Sequence, residues 1–393
     1  MSLRQWLLPD GIEELLPAQA ARFEALRRCL LDVYQSWGYE LVMPPFIEYL
    51  DTLLAGIGKD LRSQTFQLPD QLTGRMLGIR ADMTPQVARI DARHDGDGPL
   101  RLCYLGTVLQ AKADGFAGSR SALQVGAELY GHFGVESDAE IIALMLETLS
   151  LTGIQTVHLD LGHVGIFRSL AAHAQLTPAQ ETVLFGALQR KAVPEIKAYL
   201  ASLNISAQAQ AELACLVNLY GEVEVLAMAR QQLATAPDAV HEALDYLQRL
   251  YQVLLAQYPN LKLYFDLAEL RGYQFHTGVV YAAFTAGYGK EIARGGRYDD
   301  FGAVFGRGRP ATGFSTDLKA LVGLAAPTPL VISPAVLAPS PAEQTDDALK
   351  QAIHQLRQQK VRVICALPGQ IPPPECTQVL QYQQGSWQVV PLV

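Results

Sequence analysis

Three residues with complementary chemistry alternate in the stretch IRADMTPQVAR, residues 79–89. Arg80, Asp82 and Thr84 stand two positions apart, so in an extended segment their side chains would share one face. A guanidinium, a carboxylate and a hydroxyl on one face suit an amino-acid ligand, because the carboxylate can accept from an ammonium group or an imidazole N–H. A solvated strand face would show the same pattern, so both interpretations stay open on spacing alone.

A second group of polar residues lies in ELRGYQFHTGVVYAAF, residues 269–284, beside a predicted strand. Arg271, Gln274 and His276 could line a pocket for a small anionic or amphoteric ligand, since arginine offers a bidentate fork to a carboxylate. A surface loop would have the same composition. The nearby GGRYDDFG, residues 295–302, has a glycine pair that permits close backbone approach, although by itself it is typical of a turn.

Several common site motifs are missing from the sequence. No GxGxxG opens a helix after a strand, and no GxxxxGK[ST] phosphate loop occurs. The five cysteines are scattered and form no CxxC pair, which predicts a reducing compartment, no disulfide framework and no zinc site. His158 and His163 flank a predicted strand end without a third ligand at a suggestive spacing, so we interpret them as structural. We therefore expect no metal and no cofactor.

Composition and charge narrow the class of protein further. The chain has 393 residues, of which 49% are hydrophobic and 18% charged, as expected for a well-buried globular protein of two or three domains. Asp and Glu number 39 against 31 Lys and Arg, which lowers the expectation of a tRNA or DNA partner. The N-terminus does not resemble a signal peptide, and no apolar run is long enough to span a membrane. We expect a cytoplasmic protein without tRNA or membrane partners.

Hydrophobic periodicity predicts the elements that must position these residues. A helix is predicted over 18–37, where apolar residues recur at steps of three and four. A second helix is predicted to begin at Ser137, with Glu140 completing a capping box, and a third is predicted over 314–324. Strands are predicted at 156–162, 261–267, 279–284 and 291–296.

Two further segments define the predicted domain organisation. Residues 165–258 are rich in Ala, Leu and Gln with sparse glycine, which predicts a helical insertion of about 90 residues. Five prolines between 327 and 341 predict a boundary, followed by a small C-terminal α/β domain at 326–393. In the core, 1–325, strands are joined by short loops, so the predicted fold class is α+β, with an antiparallel sheet flanked by helices.

Taken in order along the chain, these segments resemble the motifs of class II aminoacyl-tRNA synthetases. MPPFIEYLDTL resembles motif 1 and RPATGFSTDLKAL resembles motif 3. IRADMTPQVAR, followed by RLCYLGTVLQ and LQVGAELYG, resembles motif 2 of the histidyl-tRNA synthetases. LRGYQFHTGVVY and GGRYD resemble the two histidine-specific motifs of that branch. The motifs run from about residue 9 to residue 324, so the resemblance implies a synthetase-like fold with a histidine-sized pocket.

The resemblance also implies which residues line that pocket. Asp82, supported by Thr84, would receive the α-amino group of the ligand. Gln124 and Glu128 would bind its amino and imidazole groups, and Arg271 would face its carboxylate. The full implied set is Asp82, Thr84, Gln124, Glu128, Arg271, His276 and Tyr298.

Several positions depart from the pattern of the histidyl branch, among them Lys112 and Lys319, which stand where motifs 2 and 3 usually carry a glutamate. Asp82 and His276 replace a usual glutamate and a usual tyrosine, whereas Tyr298 matches. Gln110 and Ala320 stand where motifs 2 and 3 normally carry the arginines that hold ATP. Because such fixed charges stabilise the charge that develops during adenylate formation, their loss is expected to leave aminoacylation negligible. The C-terminal tail carries no basic cluster that could bind an anticodon, so the resemblance implies no tRNA partner.

A pocket that is kept while the ATP arginines are lost is typical of one group of synthetase paralogues. The chain resembles the family of ATP phosphoribosyltransferase regulatory subunits. This implies a non-catalytic chain that forms homodimers through the motif 1 region and assembles with a short-form catalytic subunit. The implied effector is histidine, which would inhibit the first step of its own biosynthesis. A divergent histidyl-tRNA synthetase, or an amino-acid-binding paralogue with another partner, such as an RNA-linked stress sensor, remain the alternatives.

Overall fold

The computed structural model of the protein describes residues 7–56, 59–112, 119–269, 272–273, 275–299, 301–324, 334–340, 346–369 and 371–392. The chain divides into two compact units, Met1–Ala326 and Pro327–Val393. Among the described residues, no helix is both long enough and apolar enough to cross a lipid bilayer.

The described residues of the larger unit form two sheets. Its strands are β1 (Glu40–Leu41), β2 (Ile47–Tyr49), β3 (Phe66–Pro69), β4 (Met76–Ile79), β5 (Leu100–Thr107), β6 (Leu123–Tyr130), β7 (His158–His163), β8 (Tyr220–Gly221), β9 (Lys262–Asp266), β10 (Val279–Phe284), β11 (Ala293–Arg297) and β12 (Ala311–Asp317). Nine strands form one sheet in the order β1-β5-β6-β12-β11-β10-β7-β9-β8, and β2-β4-β3 form the other. In the large sheet β1–β5 and β7–β9 are parallel and the other neighbours antiparallel, which agrees with the predicted α+β class.

Helices flank the large sheet. They are α1 (Pro17–Ser36), α2 (Leu50–Leu53), α3 (Lys59–Gln64), α4 (Thr84–Ala92), α5 (Val135–Leu151), α6 (Val164–His173), α7 (Pro178–Gln189), α8 (Val193–Ser202), α9 (Ala207–Cys215), α10 (Glu224–Gln232), α11 (Asp238–Gln257) and α12 (Leu318–Leu324). Short 3-10 turns lie at Leu216–Asn218 and Phe301–Phe305. Helices α6–α11 occupy the segment that composition predicted as a helical insertion, together with the two-residue strand β8.

The helix predicted over 18–37 is confirmed as α1. Its buried face contains Phe23, Leu30 and Tyr34, which join the same hydrophobic core as the inner residues of α5 and the large sheet. The Tyr34 hydroxyl lies 2.9 Å from Oγ1 of Thr148 on α5, so a hydrogen bond as well as apolar packing fixes the two helices together.

Helix α5 begins earlier than predicted, and the predicted capping box is wrong. Val135 is its first residue and Gly134, with φ of 144°, is its N-cap without a side-chain capping bond. Ser137 Oγ donates to the Gly134 carbonyl at 2.9 Å, while Glu140 accepts from Arg101 Nε at 2.7 Å. Ser137 Oγ also accepts from Arg297 Nη2 at 2.8 Å, so both side chains are used in tertiary contacts. Gly134, with its positive φ, turns the chain into the helix without a capping side chain.

The helix predicted over 314–324 begins only at Leu318. Residues 311–317 form β12, which pairs with both β11 and β6. A strand that has neighbours on both sides and is buried on both faces shows no clean alternation of polar and apolar residues, so its period is hard to recognise. The strand matters because it brings Gly313 opposite Glu128 in the register of β6.

The described residues of the smaller unit form one sheet and one helix. Its elements are β13 (Ala335–Ala338), α13 (Asp347–Gln358), β14 (Val363–Cys365), β15 (Cys376–Gln383) and β16 (Ser386–Pro391). The strand order is β14-β13-β15-β16. Leu349 and Ile353 of α13 pack on Val336 and Leu380 of the sheet, so the apolar stripe of the helix forms the core of this unit.

Candidate functional site

Three adjacent strands of the nine-stranded sheet position a buried acid, Glu128. It lies on β6, where the register places it opposite Leu102 of β5 and Gly313 of β12. A Cβ atom at Gly313 would stand only 1.5 Å from Oε2 of Glu128. The glycine therefore leaves the space in which the Glu128 carboxyl group lies against the neighbouring strand.

The carboxyl group of Glu128 is held by tyrosine hydroxyls. Glu128 is 1% exposed; Tyr104 donates to its Oε1 at 2.9 Å and Tyr298 donates to its Oε2 at 2.5 Å. Burial raises the pKa of Glu128 to about 8, although both hydroxyl bonds act in the opposite direction. Such a group can lose its proton near neutral pH when a cationic ligand arrives to pair with it.

Asp82, Thr84 and Gln124 form the adjoining part of the site. Asp82 Oδ1 accepts from the Thr84 backbone N–H at 2.9 Å and from Gln124 Nε2 at 2.8 Å. The amide oxygen of Gln124 accepts from the Met83 backbone N–H at 2.9 Å. Thr84 Oγ1 lies 3.0 Å from the Tyr104 hydroxyl, which links this part to Glu128. The structure thus brings five predicted residues into one hydrogen-bonded cluster: Asp82, Thr84, Gln124, Glu128 and Tyr298.

Residues 79–89 are not extended throughout, so Arg80, Asp82 and Thr84 do not share a strand face, and Arg80 is not part of this cluster. Strand β4 ends before Arg80, and α4 begins at Thr84, because Asp82 accepts from the Thr84 N–H in a local turn. Arg80 Nε donates to the Thr107 carbonyl at 2.9 Å and Nη1 to the Pro44 carbonyl at 2.7 Å. Arg80 therefore joins the end of β5 to the segment around Pro44 and has a structural role.

His276 lies beside the cluster without joining it. The ring of Phe275 stacks on Tyr298 with centroids 4.7 Å apart and meets the His276 imidazole edge-on at 5.3 Å. Burial lowers the pKa of His276 to about 4, and within the described part of the chain its Nδ1 has no hydrogen-bond partner. The imidazole is therefore neutral at physiological pH. Arg271 and Gln274, predicted in the same stretch, lie outside the described residues.

Three residues of the site region were missed by sequence reasoning. Tyr104 bridges Thr84 and Glu128, and the Tyr130 hydroxyl lies 3.1 Å from that of Tyr298. Arg297, buried at the end of β11, bonds to the start of α5. Tyr104 and Tyr130 are inward-facing strand residues, and tyrosine at such positions is usually a signal of packing rather than of a site.

The two positions expected to have lost ATP contacts are both described. Gln110 takes part in backbone pairing: its N–H donates to the Arg120 carbonyl at 2.8 Å, and its own carbonyl accepts from Arg120 Nε at 3.0 Å. Ala320 lies on α12, next to Lys319, whose Nζ is 3.1 Å from Glu13. Among the described residues, no group of three or more His, Cys, Asp or Glu side chains could hold a metal ion.

Comparison with known families gives two matches along the chain. Residues 11–321 match the histidyl-tRNA synthetase family, and residues 333–390 match the C-terminal domain of the ATP phosphoribosyltransferase subunit HisZ. The solved structure of an ATP phosphoribosyltransferase regulatory subunit/histidyl-tRNA synthetase from Bacillus halodurans is similar with a TM-score of 0.80 and 26% identity, over 94% of this chain and 95% of that one. Histidyl-tRNA synthetase from Nostoc sp. PCC 7120 has a TM-score of 0.76 at 20% identity, over 98% and 97%, which shows the shared fold.

Two relatives show the family at the level of sequence. The ATP phosphoribosyltransferase regulatory subunit of Thioalkalivibrio sulfidiphilus is 56% identical over 368 residues, which cover 93% of this chain and 92% of that protein. The protein of the same name from Ectopseudomonas mendocina is 53% identical over 393 residues, covering 99% and 98%. The predicted class II synthetase-like fold is therefore confirmed, and the chain belongs to the family of ATP phosphoribosyltransferase regulatory subunits.

Proposed function

We propose that this chain acts in the cytoplasm as a non-catalytic subunit of an ATP phosphoribosyltransferase complex in histidine biosynthesis. It would assemble with a short-form catalytic subunit, be required for the activity of that subunit, and confer inhibition by histidine. The names of its relatives and the match of its C-terminal unit support the assembly. The observation that carries the sensing role is the buried cluster around Glu128, which is suited to a ligand with positive and neutral nitrogen atoms.

Each group of the cluster has a chemical use toward free histidine. The Glu128 carboxyl group, once ionised, would pair with the imidazole N–H or the imidazolium of the ligand. Asp82 would accept from the α-ammonium group, in an orientation fixed by Gln124 and Thr84. Binding of histidine would therefore replace a buried, protonated acid with an ion pair, and we propose that Arg271 completes the site by binding the carboxylate of the ligand.

Adenylate chemistry is disfavoured by the residues at the ATP positions. A synthetase needs fixed positive charge at the α-phosphate, where losing one such group typically raises the barrier by about 3–4 kcal/mol. Gln110 and Ala320 supply none at the two matching positions. The nearby cation Arg120 donates to the backbone carbonyls of Gln110 and Asp10, so those donors are already used. These contacts support the non-catalytic role over a divergent synthetase.

Reconstitution tests this proposal directly. The catalytic subunit of the source cell, purified alone and mixed with this chain, is assayed for condensation of ATP with phosphoribosyl pyrophosphate across a histidine titration. We expect activity only when both chains are present, and progressive inhibition as histidine rises. Full activity of the catalytic subunit alone would contradict the proposal. So would exchange of pyrophosphate into ATP by this chain with histidine, because that reaction belongs to a synthetase.

We further propose that two copies of the chain associate through the motif 1 region. This segment presents apolar side chains to solvent, with Met43 exposed by 79% and Leu41, Phe46 and Ile47 each by 41%. Its strand β1 is also an edge of the nine-stranded sheet. A concentrated apolar patch beside a sheet edge is typical of an interface, because exposed apolar surface is unfavourable in water and an open strand edge can pair with another chain.

Introducing charge into this patch is expected to break the dimer. Met43→Glu would bury a carboxylate without a partner in the interface, so the mass in solution should fall from about twice 42.9 kDa to that of one chain. Ile371→Glu is the matched control, since Ile371 is 91% exposed and lies in the smaller unit. Sedimentation velocity measures both variants. A Met43→Glu protein as dimeric as the wild type would place the interface elsewhere.

A further inference from the structure

Arg297 is a buried junction between the pocket and the start of α5. Arg297 is 5% exposed, and its Nε donates to Asp138 Oδ2 at 3.1 Å. Nη2 donates to Ser137 Oγ at 2.8 Å, and Nη1 donates to Asp299 Oδ1 at 3.1 Å. Two backbone carbonyls of the loop before α5, those of His132 and Gly134, also accept from the guanidinium at 3.1 Å. This many contacts leave the guanidinium little freedom to move.

Through Asp299, Arg297 fixes the two chain segments that carry His276 and Tyr298. Asp299 Oδ2 accepts from Thr277 Oγ1 at 2.8 Å, and the Thr277 backbone N–H donates to the Arg297 carbonyl at 2.7 Å. Thr277 directly follows His276, and Tyr298 stands between Arg297 and Asp299. A shift of the Arg297 side chain would therefore displace the backbone that aims the Tyr298 hydroxyl at Glu128.

The other side of the junction reaches the helical insertion. Asp138 is fully buried, and its Oδ2, which accepts from Arg297, also accepts from the Tyr246 hydroxyl on α11. Asp138 Oδ1 is buried and has no hydrogen-bond partner within the described part of the chain, so the Tyr246 hydroxyl, which shares Oδ2 with Arg297, helps to hold the Asp138 side chain in place. Tyr246 is thus joined to the pocket by two charged side chains.

We propose that Tyr246 is a positioning residue for the ligand pocket, through which the helical insertion controls the geometry of Tyr298 and Glu128. This inference rests on the proposed histidine-binding function. Any movement of α11, for instance on contact with a partner chain, would alter the Asp138–Arg297 pair and hence the pocket. Because coupling between sites is reciprocal, histidine binding would in turn favour one position of the insertion.

The variant Tyr246→Phe isolates the hydroxyl. The phenyl ring preserves the packing against His163, whose ring centroid is 5.9 Å away, while the hydrogen bond to Asp138 is lost. Tyr251→Phe is the matched control: Tyr251 lies on the same helix, its ring is 6.0 Å from that of Phe265, and its hydroxyl has no hydrogen-bond partner among the described residues. Both variants lose one tyrosine hydroxyl, but only the hydroxyl of Tyr246 is bonded to Asp138.

Two measurements on the full chain test the inference. In calorimetric titrations with histidine, well below the melting temperature, we expect Tyr246→Phe to weaken binding at least fivefold and Tyr251→Phe to leave it unchanged. In hydrogen exchange of the ligand-free protein, we expect faster exchange at Thr277 and Asp299 in Tyr246→Phe alone. If Tyr246 only stabilises the fold, Tyr246→Phe should lower the melting temperature but change neither the histidine affinity nor the exchange at Thr277 and Asp299. That result would overturn the inference.

The same experiments separate this inference from the proposed function. If the wild-type chain binds no histidine but Tyr246→Phe still speeds exchange at Thr277 and Asp299, the sensing role fails and the link from the insertion to the pocket stands. If the wild type binds histidine and both variants behave like it, the sensing role stands and the role given to Tyr246 is wrong.

Discussion

Replacing Glu128 by glutamine is expected to remove a large pH dependence from the stability of the protein. In the folded chain the pKa of Glu128 is about 8, against an ordinary value of 4.5. Between these two values the folded state keeps a proton that the unfolded chain has released, so the free energy of unfolding falls as pH rises through this window. At about 1.4 kcal/mol per unit, the total is on the order of 4–5 kcal/mol.

The difference between the two proteins is the quantity to measure. Urea unfolding of Glu128→Gln and of the wild type, from pH 5 to pH 9, gives a difference in unfolding free energy that should grow in favour of the variant by about 1.4 kcal/mol per pH unit and level off above about pH 8. His163 and His276, whose pKa values burial lowers to about 4, give the opposite slope below pH 6.5 and cancel in the difference. A difference that stays constant from pH 5 to pH 8 would mean that Glu128 is ionised throughout.

The same substitution is expected to weaken histidine binding by about 10- to 100-fold. Glutamine resembles the protonated acid in shape but cannot supply the negative charge that would pair with the ligand, and a buried charged hydrogen bond is worth about 1.5–3 kcal/mol or more. The protein would thus be more stable above neutral pH and less able to sense its ligand. Strained or destabilised binding sites commonly show this trade-off between stability and function. Glu14→Gln, at an exposed position, is the control in both assays.

The hydrogen-bonded cluster around Glu128 was predictable from motifs and much less so from the spacing of polar residues. Asp82 precedes α4, whereas Gln124 and Glu128 lie on β6, and the resemblance to the histidyl branch grouped these three residues, which belong to one hydrogen-bonded cluster in the structure. Hydrophobic periodicity identified α1, because few structures besides an amphipathic helix produce a long, regular apolar stripe. It gave no information on which polar residues meet, since that depends on the order of strands in the sheet.

The errors share one physical cause, which is that local signals compete with each other or with tertiary contacts. Asp82 and Pro85 together are a typical helix start, but the alternation of Arg80, Asp82 and Thr84 suggested a strand. Ser137 has the residue type of an N-cap, yet its hydroxyl accepts from buried Arg297 instead. Contacts of this kind join residues far apart in sequence, so no window of neighbouring residues contains the information.

Gly313→Ala is expected to disable the pocket by moving one side chain. The added methyl group would lie 1.5 Å from Glu128 Oε2 and 2.9 Å from the Ala127 carbonyl oxygen, closer than real Cβ contacts. The flexible carboxyl group can give way more easily than the backbone, so Glu128 should leave the hydroxyls of Tyr104 and Tyr298. Overpacking of a dense core typically lowers the free energy of unfolding by about 1–3 kcal/mol, and the displaced polar groups add to this loss.

A second glycine provides the control for this steric argument. Gly323 lies on α12, and a Cβ atom built there meets nothing within 4 Å, so Gly323→Ala should fold normally and gain slightly in helix stability. Calorimetric titration should show histidine binding lost in Gly313→Ala and kept in Gly323→Ala, with both proteins folded by circular dichroism. Wild-type affinity in a folded Gly313→Ala protein would show that the Glu128 carboxyl group can leave its two tyrosines without loss of the ligand. The contact that sets the affinity would then lie elsewhere, and the removal of charge in Glu128→Gln should be equally harmless to binding.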